Sequence, residues 1–328
     1  HRAADLISKR AEVSFDPDAK APQFDETISM ALQGDAELIG FFMRAAGLAL
    51  VGEIVERMFL ILYGPTGRNA KTTIVEALGG MLGDYAQTTP ISTFMEAQGD
   101  RIRNDLARLR GARFVSASES DDSHTLDASL VKMVTGNDKI IARFLHREYF
   151  EYVPGFSVWL STNTRPRLSC GSDAALWDRL QILPFTHRIP ADKIIPPQEM
   201  QRRLAGERSG ILNWALRGLT LYQTINMRPP AAVTAAVNDY RQDSDFVGDF
   251  LADCTEKTTT GFLPKADAYQ AYVSWCERTR RTAQSQTRFN AEMDHHGILG
   301  EKRDGKRSWI GITQKTVDAV DAMDTLSS

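Results

Sequence analysis

The stretch Arg57-Met-Phe-Leu-Ile-Leu-Tyr-Gly64-Pro-Thr-Gly67-Arg-Asn-Ala70-Lys71-Thr72-Thr73 constrains this chain more than any other. An apolar run the length of a buried strand, Met58–Tyr63, meets a glycine turn. A lysine and two threonines then open an amphipathic segment, Ile74 to Leu82. That order of strand, small-residue loop and helix is how a chain cradles a phosphate. Small residues let backbone N–H groups turn inward around an anion, and the helix N-terminus adds partial positive charge. Gly64, Pro65, Thr66, Gly67, Arg68, Asn69, Ala70, Lys71, Thr72 and Thr73 therefore form a candidate phosphate loop. Lys71 would reach the β- and γ-phosphates, and the Thr72 hydroxyl would ligate Mg²⁺. Ala70 stands where the usual motif has glycine; it adds a methyl group but keeps the N–H donor.

Composition adds bounds rather than chemistry. A chain of 328 residues has room for two or three domains. A net charge of −3 argues against nonspecific coating of nucleic acid, though not against local basic sites. Cys170, Cys254 and Cys276 lack metal-ligand spacing and cannot all pair, which fits a reducing, cytoplasmic setting. The most hydrophobic segment, Leu38–Gly52, is too short to span a bilayer and carries Arg44, so no membrane partner is expected. No signal peptide is legible, and a start at His1 reads as a piece of something longer.

Three regions are expected: an N-terminal helical segment over 1–52, an α/β domain over 53–226, and a helical, winged-helix-like domain over 227–328. The first holds helices Asp25–Leu32 and Asp35–Leu50 after a Pro-containing lead-in, Asp16–Pro22. In the second, strands Met58–Tyr63, Arg113–Ala117, Phe156–Thr162 and Leu180–Phe185 alternate with helical runs, the pattern of a parallel sheet, and helix Ser209–Gln223 closes it. After the break at Asn226–Pro230 the third reads as helices with one polar interruption, Glu256–Gly261. There, helices Ala266–Arg278 and Ser285–Gly297 precede a turn, Arg303–Lys306, and the short strand Ser308–Ile312. From Arg278 to Arg307, eight Lys or Arg face four Asp or Glu. That basic stretch either contacts phosphates or serves as a charged lid that touches no DNA. His295-His296 has no partnering ligands and reads as surface.

Three further elements follow the loop in order. The strand Arg113–Ser118 leads into Glu119, placed to organise Mg²⁺ or the attacking water, with Asp121 and Asp122 just beyond. The strand Phe156–Thr162 ends in Asn163, either a polar group sensing the γ-phosphate or the start of a turn. Arg179 precedes the next strand, either as an arginine finger crossing a subunit interface or as a surface partner of Asp178.

The ordered set of phosphate loop, Glu119, Leu130-Val-Lys-Met-Val-Thr135-Gly136-Asn-Asp138-Lys-Ile-Ile-Ala-Arg143, Asn163 and Trp177-Asp-Arg179 resembles a superfamily 3 helicase. More narrowly, it is similar to the helicase half of the phage and plasmid primase family, related to poxvirus-type replicative primase-helicases. The resemblance covers nearly the whole chain and departs from the family at Ala70 and in the single clear acid, Glu119.

What the resemblance implies is an AAA+ P-loop NTPase core, with the N-terminal segment as a collar. The core would assemble as a ring, most often a hexamer, hydrolysing ATP with Mg²⁺ to draw single-stranded DNA through its centre and open forked DNA. Lys71, Glu119, Asn163 and Arg179 would be catalytic, with Thr72 and Glu119 at the metal. A primase domain or replication partner would lie upstream, in a bacterial host's cytoplasm. The translocation hairpin would be Lys139–Tyr152, its basic and aromatic tip offering Lys139, Arg143, Phe144, His146 and Arg147 to DNA; the residues also fit an ordinary exposed hairpin. Two functions stay open: a DNA-translocating motor, or an ATP-switched initiator or scaffold with little turnover.

Overall fold

The computed structural model describes residues 7–96, 103–118, 125–168, 173–279, 281, 283–303 and 305–315. The chain divides into two compact units, one of residues 1–167 with 174–240, the other of 168–173 with 241–328.

The first unit opens with helices α1 (Pro22–Ala31) and α2 (Ala36–Leu48). Pro22 suits the first turn of α1, where a missing N–H costs no hydrogen bond. Asp35 caps α2 by accepting from the Glu37 and Leu38 N–H groups. Strand β1 (Phe59–Tyr63) leads through the glycine loop into α3 (Lys71–Leu82), followed by β2 (Ala86–Pro90), α4 (Asn104–Ala107), β3 (Phe114–Ser118) and β4 (Thr125–Leu126). Next come α5 (Ala128–Val134), the hairpin of β5 (Ile140–Ala142) and β6 (Phe150–Tyr152), β7 (Ser157–Thr162), β8 (Arg167–Leu168), α6 (Ala174–Trp177) and β9 (Leu180–Pro184). Helices α7 (Pro197–Gly206) and α8 (Arg208–Ile225) follow, and the chain leaves the unit within α9 (Ala231–Asp243).

The central sheet has the order β2-β3-β7-β1-β9, every neighbour parallel. Strands β1, β3 and β7 are buried almost throughout, which explains their continuous apolar sequences. Edge strand β2, Ala-Gln-Thr-Thr-Pro, carries no apolar run and was not expected from the sequence. One core joins the sheet to the N-terminal helices: Phe42 packs against Trp159 at 5.1 Å and Trp214 at 5.8 Å, and Phe24 meets Trp214 edge-on at 5.2 Å. Helices α2 and α8 meet backbone to backbone, because a Cβ at Gly47 would collide with Ala215 O and one at Gly218 with Met43 O.

The second unit runs α10 (Phe246–Cys254), β10 (Thr255–Pro264), α11 (Lys265–Arg278), α12 (Gln286–His295), β11 (Gly300–Arg303) and β12 (Lys306–Gln314). Its strands form a separate antiparallel sheet, β10-β12-β11, over a core that includes Phe250, Tyr272, Trp275, Phe289 and Trp309. The polar interruption at Glu256–Gly261 is thus a strand. Its threonines favour extended backbone, and its charged positions are exposed because β10 is an edge.

Candidate functional site

The parallel register decides what can meet. Tyr63 at the end of β1 stands opposite Thr162 at the end of β7, and Ser118 at the end of β3 opposite Ser161. The ends of these strands therefore lie side by side at the sheet's carboxyl edge, where open α/β sheets bind ligands. The Gly64 N–H donates to Thr162 O at 3.2 Å, so the loop begins in contact with the turn bearing Asn163. That turn is fixed by the Thr162 hydroxyl, which donates to Thr164 O and accepts from the Thr164 N–H at 3.1 Å.

Lys71 begins α3 and is buried. Its Nζ donates to Gly64 O at 3.1 Å and to Asn163 Oδ1 at 2.9 Å. Side-chain freedom at Gly64 would destroy this arrangement, since a Cβ there would lie 2.8 Å from Lys71 Nζ and 2.5 Å from Phe185 O. Asn69, also buried, donates through Nδ2 to Thr66 O at 2.6 Å and to Phe185 O at 3.3 Å, clipping the loop to the residue after β9. The Ile189 N–H adds a second clip, to Arg68 O at 2.8 Å.

Backbone conformation accounts for the glycine that the motif ordinarily carries before its lysine. Ala70 has φ +62° and Arg68 φ +63°, both left-handed, a conformation that glycine adopts freely and other residues at a cost of about 1–2 kcal/mol. The loop of this chain is therefore strained at Ala70, a property that its sequence marks only as a departure. Thr72 is exposed in the first turn of α3. Its neutral oxygen suits Mg²⁺, a hard cation that keeps most of its water. Among the described residues no group of three or more His, Cys, Asp or Glu could hold a metal. Glu119, Asp121 and Asp122 lie outside the described residues, as does Cys170.

Arg179 stands elsewhere. Its carbonyl accepts from the Phe59 N–H at 2.7 Å, at the start of β1, and its Nη1 donates to Ala175 O. The phosphate loop leaves the opposite end of that strand, about 17 Å away at the usual rise per residue.

The hairpin forms with Ile140 opposite Tyr152 and Ala142 opposite Phe150. Its base is tied down by the Tyr152 hydroxyl, which donates to Leu106 O at 2.6 Å, and by the Arg110 guanidinium 5.2 Å over the Phe150 ring. At the tip, Arg143 lies 4.6 Å over Tyr149 and Phe144 stacks on Phe150 at 5.8 Å. His146 takes φ +60°, and the Arg147 N–H closes the turn on Phe144 O at 3.0 Å. Lys139 is paired with Glu151 at 2.9 Å, both exposed. Ile141, Phe144, Leu145, Tyr149 and Val153 are all exposed on this short segment.

A cavity of about 820 Å³ adjoins the loop. Arg68, Ala70 and Thr73 line one end of it, while α1 and α7 supply Met30, Met200 and Leu204. Sequence reasoning missed these last residues, because α7 reads as a charged surface helix and no local pattern connects it to a loop more than a hundred residues earlier.

This sheet, with a glycine loop at a buried strand's carboxyl end and a lysine opening the next helix, defines a P-loop-type α/β protein. Residues 242–315 match the family described as poxvirus D5 protein-like. The chain is 27% identical over 253 residues to the helicase-named protein 022R of frog virus 3 (isolate Goorha), covering 72% of this chain and 26% of that one. It is 24% identical over 265 residues to the helicase-named protein L207/L206 of Acanthamoeba polyphaga mimivirus, covering 74% and 27% respectively. The chain thus spans about a quarter of the length of either viral protein. Its fold is similar to that of the NrS-1 C-terminal region, with a TM-score of 0.55 and 12% identity, over 91% of this chain and 76% of that one. These likenesses link the chain to helicase-named viral proteins and, over its C-terminal residues, to the poxvirus D5 protein-like family. Among the described residues no helix is long and apolar enough to cross a membrane.

Proposed function

We propose that this chain is the ATP-driven motor of a replicative helicase, hydrolysing ATP with Mg²⁺ at the subunit interfaces of a hexameric ring and moving along single-stranded DNA to open a fork. The observation that carries this reading is the buried lysine held by an asparagine from the neighbouring strand tip, Lys71 Nζ on Asn163 Oδ1 at 2.9 Å. A buried lysine at the mouth of a small-residue loop is poised to meet a polyphosphate. In this reading the loop residues Gly64–Thr73 wrap the phosphates, and Lys71 stabilises charge on the γ-phosphate. Asn163 exchanges its bond to Lys71 for one to phosphate or attacking water. Thr72 would hold Mg²⁺ through its oxygen, the ion supplying positive charge against the phosphates, and Glu119 would activate water.

Arg179, at the far end of β1 from its own loop, serves a neighbour's nucleotide. The hairpin presents Arg143, His146 and Arg147 to phosphates and Phe144 to a base, with Lys139 released from Glu151 when DNA arrives. The setting that fits is phage or plasmid replication in a bacterial host's cytoplasm, with a primase domain or partner upstream. An ATPase assay with and without single-stranded DNA tests the reading. Stimulation by the strand is the expected result; slow hydrolysis indifferent to DNA would instead support an ATP-switched initiator, for which the strained Ala70 is the favouring observation.

A further inference from the structure

We propose that Tyr240 and Arg165 are positioning residues for the nucleotide reaction: together they clasp the turn that carries Asn163 and so fix where its amide meets Lys71. The inference rests on the phosphate-loop reading and names what holds the polar partner of Lys71 in place.

Asn163 is exposed on a turn, yet its Oδ1 lies 2.9 Å from the Nζ of a buried lysine. Such a bond keeps its geometry when the turn is fixed at both ends. The upstream end is fixed by the sheet, where Thr162 closes β7 in register with Tyr63 and its carbonyl accepts the Gly64 N–H. The downstream end is fixed by α9. Pro166 is buried, and a carbonyl taken out of water needs a donor. The Tyr240 hydroxyl, seventy-four positions further along the chain, donates to it from a side chain that is itself buried. Trp177 holds the Tyr240 ring edge-on at 5.3 Å. Packing on Trp177 would be served as well by phenylalanine; a hydroxyl on the carbonyl three residues past Asn163 serves the turn.

Arg165 completes the clasp. Its guanidinium lies 5.0 Å over the Tyr63 ring and 5.8 Å over the Tyr240 ring, both within the reach of cation–π attraction. Tyr63 is the residue before Gly64, so one cation joins the start of the phosphate loop, the Asn163 turn and α9. A displacement of about 1 Å in a reacting arrangement can cost about 10²-fold in rate, so even a small slackening of this turn has a kinetic signature.

Hydrolysis and nucleotide binding by the whole chain test the clasp. Tyr240→Phe keeps the ring and removes the hydroxyl. The expected result is kcat lowered about tenfold, with nucleotide affinity and binding stoichiometry unchanged. In an Asn163→Ala background the same substitution should cost nothing further, because its effect runs through Asn163. Wild-type kcat in the Tyr240→Phe variant overturns the proposal. So does an equal loss of kcat in both backgrounds, the mark of a residue that serves the fold alone, or a loss of affinity in place of kcat. Should Tyr240→Phe fail to fold, Arg165→Gln decides by the same comparison: a loss of kcat confined to the chain that retains Asn163 upholds the clasp, and an equal loss or none overturns it. Absence of ATP hydrolysis in the wild type would instead remove the phosphate-loop reading, and the clasp with it.

Discussion

Lys71 and Asn163, ninety-two positions apart in sequence, share a hydrogen bond of 2.9 Å that joins the helix after β1 to the turn after β7. The bond exists only because β7 lies directly beside β1 in the sheet, with Thr162 in register with Tyr63. Removing either partner therefore has distinct effects. Lys71→Ala is expected to abolish ATP hydrolysis. Asn163→Ala is expected to lower kcat by about 10²–10³ while leaving nucleotide affinity within a few-fold. Steady-state hydrolysis and equilibrium nucleotide binding, measured on the same preparations, check this; lost affinity with an unchanged kcat would place Asn163 in binding alone. Glu119→Gln should retain nucleotide and stop turnover.

The left-handed backbone at Ala70 leads to an opposite expectation, a gain. Ala70→Gly relieves the strain at φ +62° and should stabilise the chain by about 1 kcal/mol, less what glycine's unfolded-state freedom offsets. Denaturant melts of the two proteins give the difference directly. A variant less stable than the parent would show that the methyl group is not strained where it stands.

At the hairpin, replacing Arg143, His146 and Arg147 together with alanine is expected to weaken single-strand binding and flatten its salt dependence by about 0.7 in log–log slope per lost phosphate contact. Hydrolysis without DNA should persist, because the hairpin is anchored through Tyr152 and Phe150 rather than through its tip. Fluorescence anisotropy across a salt series measures the slope. An unchanged slope would make the tip ordinary surface.

Arg179 immediately precedes β9, at the end of the sheet remote from Gly64, so action in trans is the expected behaviour. Lys71→Ala and Arg179→Ala homomers should each be inactive, whereas mixed assemblies should recover part of the ATPase activity. Co-assembly without recovery at any ratio would exclude the arrangement.

The second unit carries a pH-dependent link. His296 Nε2 and Asp245 Oδ1 are 2.9 Å apart, connecting the residue after α12 to the N-cap of α10. The hydrogen bond to Asp245 raises the imidazole above its ordinary 6.5, against the effect of burial. Burial pushes the Asp245 carboxyl up, but the bonds from His296 and the Gly248 N–H outweigh it and hold the group below 3.8. The histidine contribution is complete below 6.5 and is lost as pH rises through the raised value. The aspartate contribution is complete above 3.8 and is lost as pH falls through the lowered one. Stability from this pair is therefore greatest between those limits, and the melting temperature should fall on raising the pH beyond 6.5. His296→Asn should remove that dependence; an identical profile in the variant would count against the pair.

Buried strands were the legible part of this chain. Phe-Leu-Ile-Leu in β1 and Val-Trp-Leu in β7 are apolar on both faces, and parallel sheets covered by helices demand that. Edge strands β2 and β10 escaped notice because half their surface faces water, so their threonines and charges imitate loops. At the site, the loop announces itself locally, since its chemistry is compressed into ten consecutive residues. The cavity beside it does not. Met30, Met200 and Leu204 come from helices far apart in the chain, and each alone is an ordinary apolar position that meets the others only through packing. The strain at Ala70 was equally hidden, because sequence names the residue but not its φ.

The exposed row of Ile141, Phe144, Leu145, Tyr149 and Val153 has a colloidal consequence. Five large apolar side chains on one projecting hairpin form a surface that water solvates poorly and that other hairpins can cover. Crowding and kosmotropic salts are expected to favour hairpin-to-hairpin association. On the proposed DNA contact, short oligonucleotides should disperse it, which would make the occupied form the most soluble one.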